Sequence, residues 1–449
     1  MKSRRRIGER QWRGAFCAAA IAVLANGCDQ IANPVPLLFQ PDTRVFKGIV
    51  ASDEPRATLI GESILNGGGT AGDAAAAVAL ALAVTYPAAA GLGGGGACLA
   101  YDPTSNEAQS VDFMPRRANA GGPVAIPGFT RGIGAVHGRY GRMPIGQVIA
   151  PAENLARFGH QASRAFVRRL EAAQDPELSR NWRTPNLAPL AIGRTYVQPD
   201  LAGTLEVVRV RGFASLHVGP GARAVAEALN GVGGQIAVEE LRDFSAEWKK
   251  ADSLITGDVT IHVGGAGLMG AQATLANWRN YVASGAYEDA SAANKSAALR
   301  RGAVLGPGGE KGGSTSFVVA DRSGLVIGCV LTLGQEFGLR RLVGELGFVA
   351  ATPADDGGSS AFIVVSHILK RTFAVGAASG PGAPAALLST FTPMWLEGKH
   401  VDYTIAERPV AGDARVNIVF CPNSIPSSAD ICYPATDPRG FGLAVGGVK

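Results

Sequence analysis

Charge, aromatic residues and long apolar runs are all scarce in this chain. Charged residues make up 18% and the net charge is only +5. The densest basic run, Arg4-Arg5-Arg6, lies at the very start, and no Lys/Arg stripe is interleaved with aromatics. That pattern argues against nucleic acid as a partner. The six His fall in no H-E-x-x-H or Cys/His cluster, so a metal site has no support. Beyond residue 28 no segment reaches the ~18 uninterrupted apolar residues of a membrane-spanning helix. What is plentiful is glycine, 60 of 449 residues, but without the three-residue period of collagen. Tight turns and close backbone packing are its expected use. Apolar residues make up 47%, which excludes a disordered chain and leaves material for a core. At roughly 150 residues per domain, the length suits two or three domains or one large α/β unit.

The first 28 residues read as a lipoprotein-type signal peptide. Lys2, Arg4, Arg5, Arg6 and Arg13 form a basic region, and Ala15 to Ala25 is apolar. That stretch is too short to span a bilayer but suits a signal peptide. Gly27-Cys28 resembles a bacterial lipobox, with Ala25 where Leu is usual, so Cys28 is the candidate lipidation site. A plain cleaved signal is the alternative. Either implies export, to the periplasmic face of a bacterial membrane or to the periplasm, where disulfides persist. Cys421 and Cys432 bracket a Pro/Ser-rich loop and are the candidate disulfide; Cys98 and Cys329, in apolar runs, read as buried thiols.

Residues 29–46 are Pro-rich and polar, as in a tether. Helices are expected over Glu54 to Leu65 and, buried all round, over Ala71 to Ala83. A hairpin follows from Ala97 to Phe113. Residues 128–184 and 196–250 read as helical, and 254–263 as a strand. Residues 279–313 read as a surface excursion. After Gly313 come β-rich runs at Ser316 to Ala320, Leu325 to Leu331, Ser360 to Val365 and Arg371 to Ala378, expected as one compact β-layer, with a helix near 382–397. Gly91, Gly93 and Gly96 fit G-x-G-x-x-G, but they follow a helix and open a strand, the reverse of a dinucleotide site. Lys311 is followed by Gly312, not by the Ser or Thr of a phosphate-binding loop.

Four runs in order resemble the γ-glutamyltranspeptidase family of N-terminal-nucleophile hydrolases. They are 67–113, Ile126-Pro127-Gly128 through His137-Gly138-Arg139-Tyr140-Gly141, Gln198-Pro199-Asp200 through Leu205, and Asp437-Pro438-Arg439. The resemblance implies an α/β fold of four layers, αββα, with a large-subunit-like portion over 47–313 and a small one over 314–449. It also implies self-cleavage between Gly313 and Ser314, so that the partner of each fragment is the other. The family's nucleophile motif falls on Ser314-Thr315-Ser316-Phe317, which makes Ser314 the nucleophile, with its freed α-amine as base. Thr332 matches the hydroxyl that supports the nucleophile. Asp355 and Asp356 match the pair that binds the substrate ammonium, with Ser359 and Ser360 just beyond. Gly380 and Gly382 fall at the oxyanion glycines. No metal or organic cofactor is implied.

The chain departs from this pattern at telling places. Met114 stands where the family has the Arg that pairs with the glutamyl carboxylate, leaving Arg116 or Arg117 as substitutes. Gly334 replaces an Asn, and Pro381, which has no N–H, stands between the two glycines. Three readings follow. One is an exported hydrolase or transferase of γ-glutamyl amides such as glutathione, anchored through Cys28. Another is an uncleaved relative that has lost the site and acts as a binding protein. The last is an acylase for a different acyl group.

Overall fold

A computed structural model of the chain describes residues 46–265, 268, 270–283, 291, 294, 312–354, 358–407, 414–426 and 432–446. The leader with Cys28, most of the tether and of the 279–313 excursion, and the Asp355-Asp356 pair lie outside the described residues.

Two antiparallel sheets carry the fold. The first runs in the order β17 (Leu443–Gly446), β1 (Gly48–Ser52), β11 (Gly312–Asp321), β12 (Val326–Gln335), β2 (Gly95–Asp102), β3 (Glu107–Asp112) and β8 (Glu247–Lys250). The second runs β16 (Tyr433–Thr436), β15 (Arg415–Ile425), β14 (Arg371–Ser379), β13 (Ser360–Ser366), β10 (Val259–Val263) and β9 (Asp252–Thr256). Two short ladders, β4 (Arg116–Arg117) with β5 (Ala125–Ile126) and β6 (His160–Gln161) with β7 (Thr195–Tyr196), lie apart from them.

Alternation along β11 explains the layering. Phe317 and Val319 join the core beneath the helices Pro55–Asn66, Ala71–Thr85 and Phe129–Tyr140, while Val318 and Ala320 join the core shared with the second sheet. Helices Gly270–Ala283 and Ala383–Glu397 pack on the second sheet, giving the four layers αββα.

Helix Ala71–Thr85 is buried at every residue, and its run of alanines lets neighbours approach closely. Its start is specified locally. The Thr70 hydroxyl accepts from Asp73 N, while Asp73 accepts from Thr70 N and also from Arg142 N and Met143 N. Burial opposes ionisation of Asp73, but donation from His137 and these partners overrides it and holds the carboxyl at about 2. The glycine run at 91–96 serves close approach: a Cβ on Gly94 would stand 2.3 Å from Thr332 O.

Four expectations need correction. The β-runs after Gly313 do not form one layer: β11, β12 and β17 join β1, β2, β3 and β8, while β13 to β16 join β9 and β10. A hairpin such as β11–β12 has two open edges, and β1 and β2 fill them. Glu247–Lys250, inside a stretch expected to be helical, is a strand on the edge of β3. The strand expected over 254–263 is a hairpin broken at Gly257, whose φ is +56°. Cys98 and Cys329 are not thiols; they face each other across β2 and β12 with Cα atoms 4.1 Å apart and form a disulfide. Cys421 and Cys432 form a second. Among the described residues no helix is long and apolar enough to cross a membrane.

Candidate active site

The turn at Asp321–Leu325 sets the register of β11 on β12, and that register places Ser314 opposite Thr332. Both side chains project from the face turned to the second sheet. Ser314 Oγ donates to Thr332 Oγ1 at 2.9 Å, and Thr332 Oγ1 donates to Gly313 O at 3.2 Å. Gly334 N also donates to Thr332 Oγ1, at 3.0 Å. One threonine hydroxyl thus joins the serine hydroxyl to the carbonyl of the peptide bond before it. The ladder shifts register between Gly312 and Ser314, and a Cβ on Gly313 would stand 1.7 Å from Gln335 O. Only glycine fits there. Gly334, where the family has Asn, has φ +81°, and a Cβ would lie 2.1 Å from Thr352 Oγ1. The close approach of Thr352 therefore accounts for glycine at this position.

Directly after Ser314 comes a buried polar network absent from the sequence reading. Thr315 Oγ1 and Ser316 N donate to Asp53 Oδ2 at 2.8 and 3.2 Å. Asn417, on β15 of the other sheet, donates to Asp53 Oδ1 and to Ser316 Oγ, each at 2.8 Å. Ser316 Oγ donates to Ala377 O. Asp53, Ser316 and Asn417 are all buried. Buried hydrogen bonds to a charged group are worth about 1.5–3 kcal/mol each, so this network anchors the start of β11 to both β1 and β15. Asp53 lies two residues before Pro55 and reads locally as part of a helix start, a signal that says nothing of this role.

Glu54, next along, is fully buried. Burial pushes its carboxyl up, against donation from Thr85 Oγ1 and Ala57 N. Tyr86 is raised by burial too, with Arg169 and Arg415 pulling the other way. Arg169 donates from Nε to Tyr86 Oη at 3.3 Å and from Nη1 to Glu336 Oε1 at 2.9 Å.

The remaining candidates divide. Gly380 and Gly382 end β14 and head the helix Ala383–Glu397, both at positive φ. Gly380 N donates to Ser359 Oγ at 3.3 Å. Ser360 instead turns its hydroxyl to Thr274 of the helix Gly270–Ala283, 2.8 Å away, because alternation along β13 aims it at the outer layer. Arg116 lies over the Phe244 ring, donates to Ser245 O and sits 4.0 Å from Glu247, while Arg117 is exposed. Neither makes a described contact with β11. Among the described residues no group of three or more His, Cys, Asp or Glu is placed to hold a metal ion.

Residues 57–276 match the model of the gamma-glutamyltranspeptidase family. Glutathione hydrolase 7 of Homo sapiens is 31% identical over 251 residues, which is 50% of this chain and 38% of that protein. The capsule biosynthesis protein CapD proenzyme of Bacillus anthracis is 30% identical over 207 residues, 45% of this chain and 38% of that one. The matched part thus spans about two fifths of the length of these curated relatives. A cephalosporin acylase from Bacillus halodurans superposes with a TM-score of 0.67 over 92% of this chain and 99% of that one, at 16% identity, a likeness of fold. With the motifs in family order and the four-layer fold around β11, residues 57–276 belong to the γ-glutamyltranspeptidase family, and the chain has the N-terminal-nucleophile hydrolase fold.

Proposed function

We propose that this protein is an amide hydrolase or acyltransferase whose nucleophile, Ser314, is freed by self-cleavage of the Gly313–Ser314 bond. One observation carries the reading: the run of hydrogen bonds from Ser314 Oγ through Thr332 Oγ1 to Gly313 O. Ser314 Oγ attacks the Gly313 carbonyl carbon. Its proton passes to Thr332, whose own proton passes to the Gly313 oxygen, so no full negative charge builds up there. The C–N bond then breaks, the nitrogen takes up that proton, and Gly313 is left as an ester on Ser314. Water splits the ester into a Gly313 carboxylate and a Ser314 with free hydroxyl and α-amine.

The amine then serves as base. It takes the Ser314 proton as Oγ attacks a substrate amide, and the leaving amine departs with that proton. Water or a second amine resolves the acyl-enzyme. The substrates are γ-glutamyl or related acyl amides, with Asp355 and Asp356 as the expected ammonium partners. Gly382, at the head of a long helix, supplies an N–H near developing negative charge, where the helix field favours an anion. Pro381 supplies none. Losing one such donor costs roughly 10²–10³ in rate, so turnover is expected to be slow.

Purified protein should separate into two fragments on a denaturing gel, the smaller reading Ser-Thr-Ser-Phe from its N-terminus, and should release p-nitroaniline from an acyl anilide. An uncut chain that releases none after long incubation supports the second reading, a binding protein that keeps the fold. Pro381, and the engagement of Gly380 N by Ser359, favour that reading.

The expected lipid anchor has its own test. Cys28→Ser should move the protein from the membrane to the soluble exported fraction; unchanged membrane retention means that another feature anchors it.

A further inference from the structure

Ser314 and the turn Asp321–Leu325 lie at opposite ends of β11, roughly 23 Å apart at the rise of a strand. At the turn end Gly48 of β1 pairs with Asp321, so the chain enters the described fold here, through Phe46 and Lys47. The β13–β14 hairpin turns at this end too, since Thr372 Oγ1 donates to Gly324 O at 3.2 Å.

That hairpin turn, 367–370, has an unusual composition. Gly, Asn and Asp suit such turns, yet its middle residues are Ile368 and Leu369, 84% and 55% exposed. Among the described residues no other exposed large hydrophobics are consecutive. Ile255, 73% exposed, lies at the same end two strands away, because it pairs with Thr260, and Thr260 with Val365. The turn is held in place: Asn106 Nδ2 donates to His367 O at 3.1 Å, and Leu369 N to Ser366 Oγ at 3.2 Å. Apolar side chains projecting from a fixed turn add nothing to the core, and a cluster of them marks a contact surface.

Charge at this end indicates what the surface meets. Lys47, Arg322 and Lys370 are exposed, Arg371 is half-buried, and Lys250 lies within electrostatic reach of His367. The acids there are Asp102, Glu107 and Asp258, with Asp321 buried and accepting from Ala71 N and Ser323 N. Apolar tips among an excess of Lys and Arg suit an anionic lipid leaflet, where the tips enter the headgroup boundary and the cations meet the phosphates. The expected anchor at Cys28 is joined to Phe46 by 17 residues. Such a link reaches at most about 60 Å, so it keeps the domain near a surface without fixing its orientation.

We propose that the turn 367–370, with Ile255 beside it, docks on an anionic phospholipid surface and holds the Ser314 end of the domain away from the membrane. This stands whether or not Ser314 is a nucleophile. The test uses Cys28→Ser protein, so that no lipid anchor supplies the binding, and vesicles of phosphatidylethanolamine and phosphatidylglycerol. The protein should sediment with them. Ile368→Asp combined with Leu369→Asp should lower the partition at least ~10-fold and leave the urea midpoint unchanged. Lys370→Gln should lower it roughly 5-fold, the scale of one cation near such a surface, and should have no effect with uncharged phosphatidylcholine. Depth is read directly by fluorescence. Ile368→Trp should be quenched by brominated lipid chains, whereas Phe158→Trp, at a site 74% exposed on the helix Ile145–Phe158, should not.

Partition that survives the double change overturns the proposal, as does equal quenching at the two sites. So does a double variant that disperses an oligomer without altering vesicle partition, since a second copy of the chain then covers the turn.

Discussion

Ser314→Ala should leave the polypeptide uncut between residues 313 and 314 and without turnover, and Thr332→Val should slow the cut by roughly 10²–10³-fold, the scale of losing one donor to a developing oxyanion. Valine keeps the branched shape that suits β12 but removes the hydroxyl that accepts from Ser314 Oγ and donates to Gly313 O. It also strips Gly334 N of its acceptor, at a cost of about 1–3 kcal/mol in stability. Thr332→Ser retains the hydroxyl and separates the two effects, since it should cleave near the wild-type rate. The readout is the half-time of the precursor band. A Thr332→Val precursor that disappears as fast as wild type would remove Thr332 from the chemistry.

Acid should unfold this protein well before its carboxylates are neutralised. Burial lowers His160, His217 and His262 to about 4 each, from an ordinary value of 6.5. His160 contacts Tyr196 Oη, His217 contacts Pro127 O, and His262 Nε2 lies 2.8 Å from His367 Nε2. The last contact holds one shared proton and is broken by a second. In the folded state these rings stay neutral down to about pH 4, whereas in the unfolded chain they take up protons below about pH 6.5. Between those limits the unfolded state binds more protons, so stability falls as pH falls.

Each ring contributes on the order of 2 kcal/mol to this loss by about pH 4.5. Three together rival the 5–15 kcal/mol of a typical domain. Asp73, held at about 2, gives up its share only in stronger acid. Glu54, raised by burial, works the other way and offsets a part. Urea midpoints at pH 7, 6, 5 and 4.5 should fall steeply, and His217→Gln, which keeps a donor but cannot titrate here, should flatten the slope. A midpoint that holds steady down to pH 4.5 would mean these rings are not buried as described.

Residues close in the chain account for what the sequence by itself determined. The helix Ala71–Thr85 begins at a capping pair three residues apart, and the hairpin Gly95–Asp112 closes around a short turn. The contact between Ser314 and Thr332 belongs to this class, because the turn at Asp321–Leu325 sets one register for β11 and β12 and so pairs the two residues. Asp53 and Asn417 are 364 residues apart, and Cys98 and Cys329 are 231 apart. Which strand fills an open sheet edge, and which inner face it meets, depends on every other strand already in place. Local propensity carries no record of that choice. Only the stacking of two sheets brought β1 and β15 against the start of β11, and with them Asp53 and Asn417 to the residues that follow Ser314.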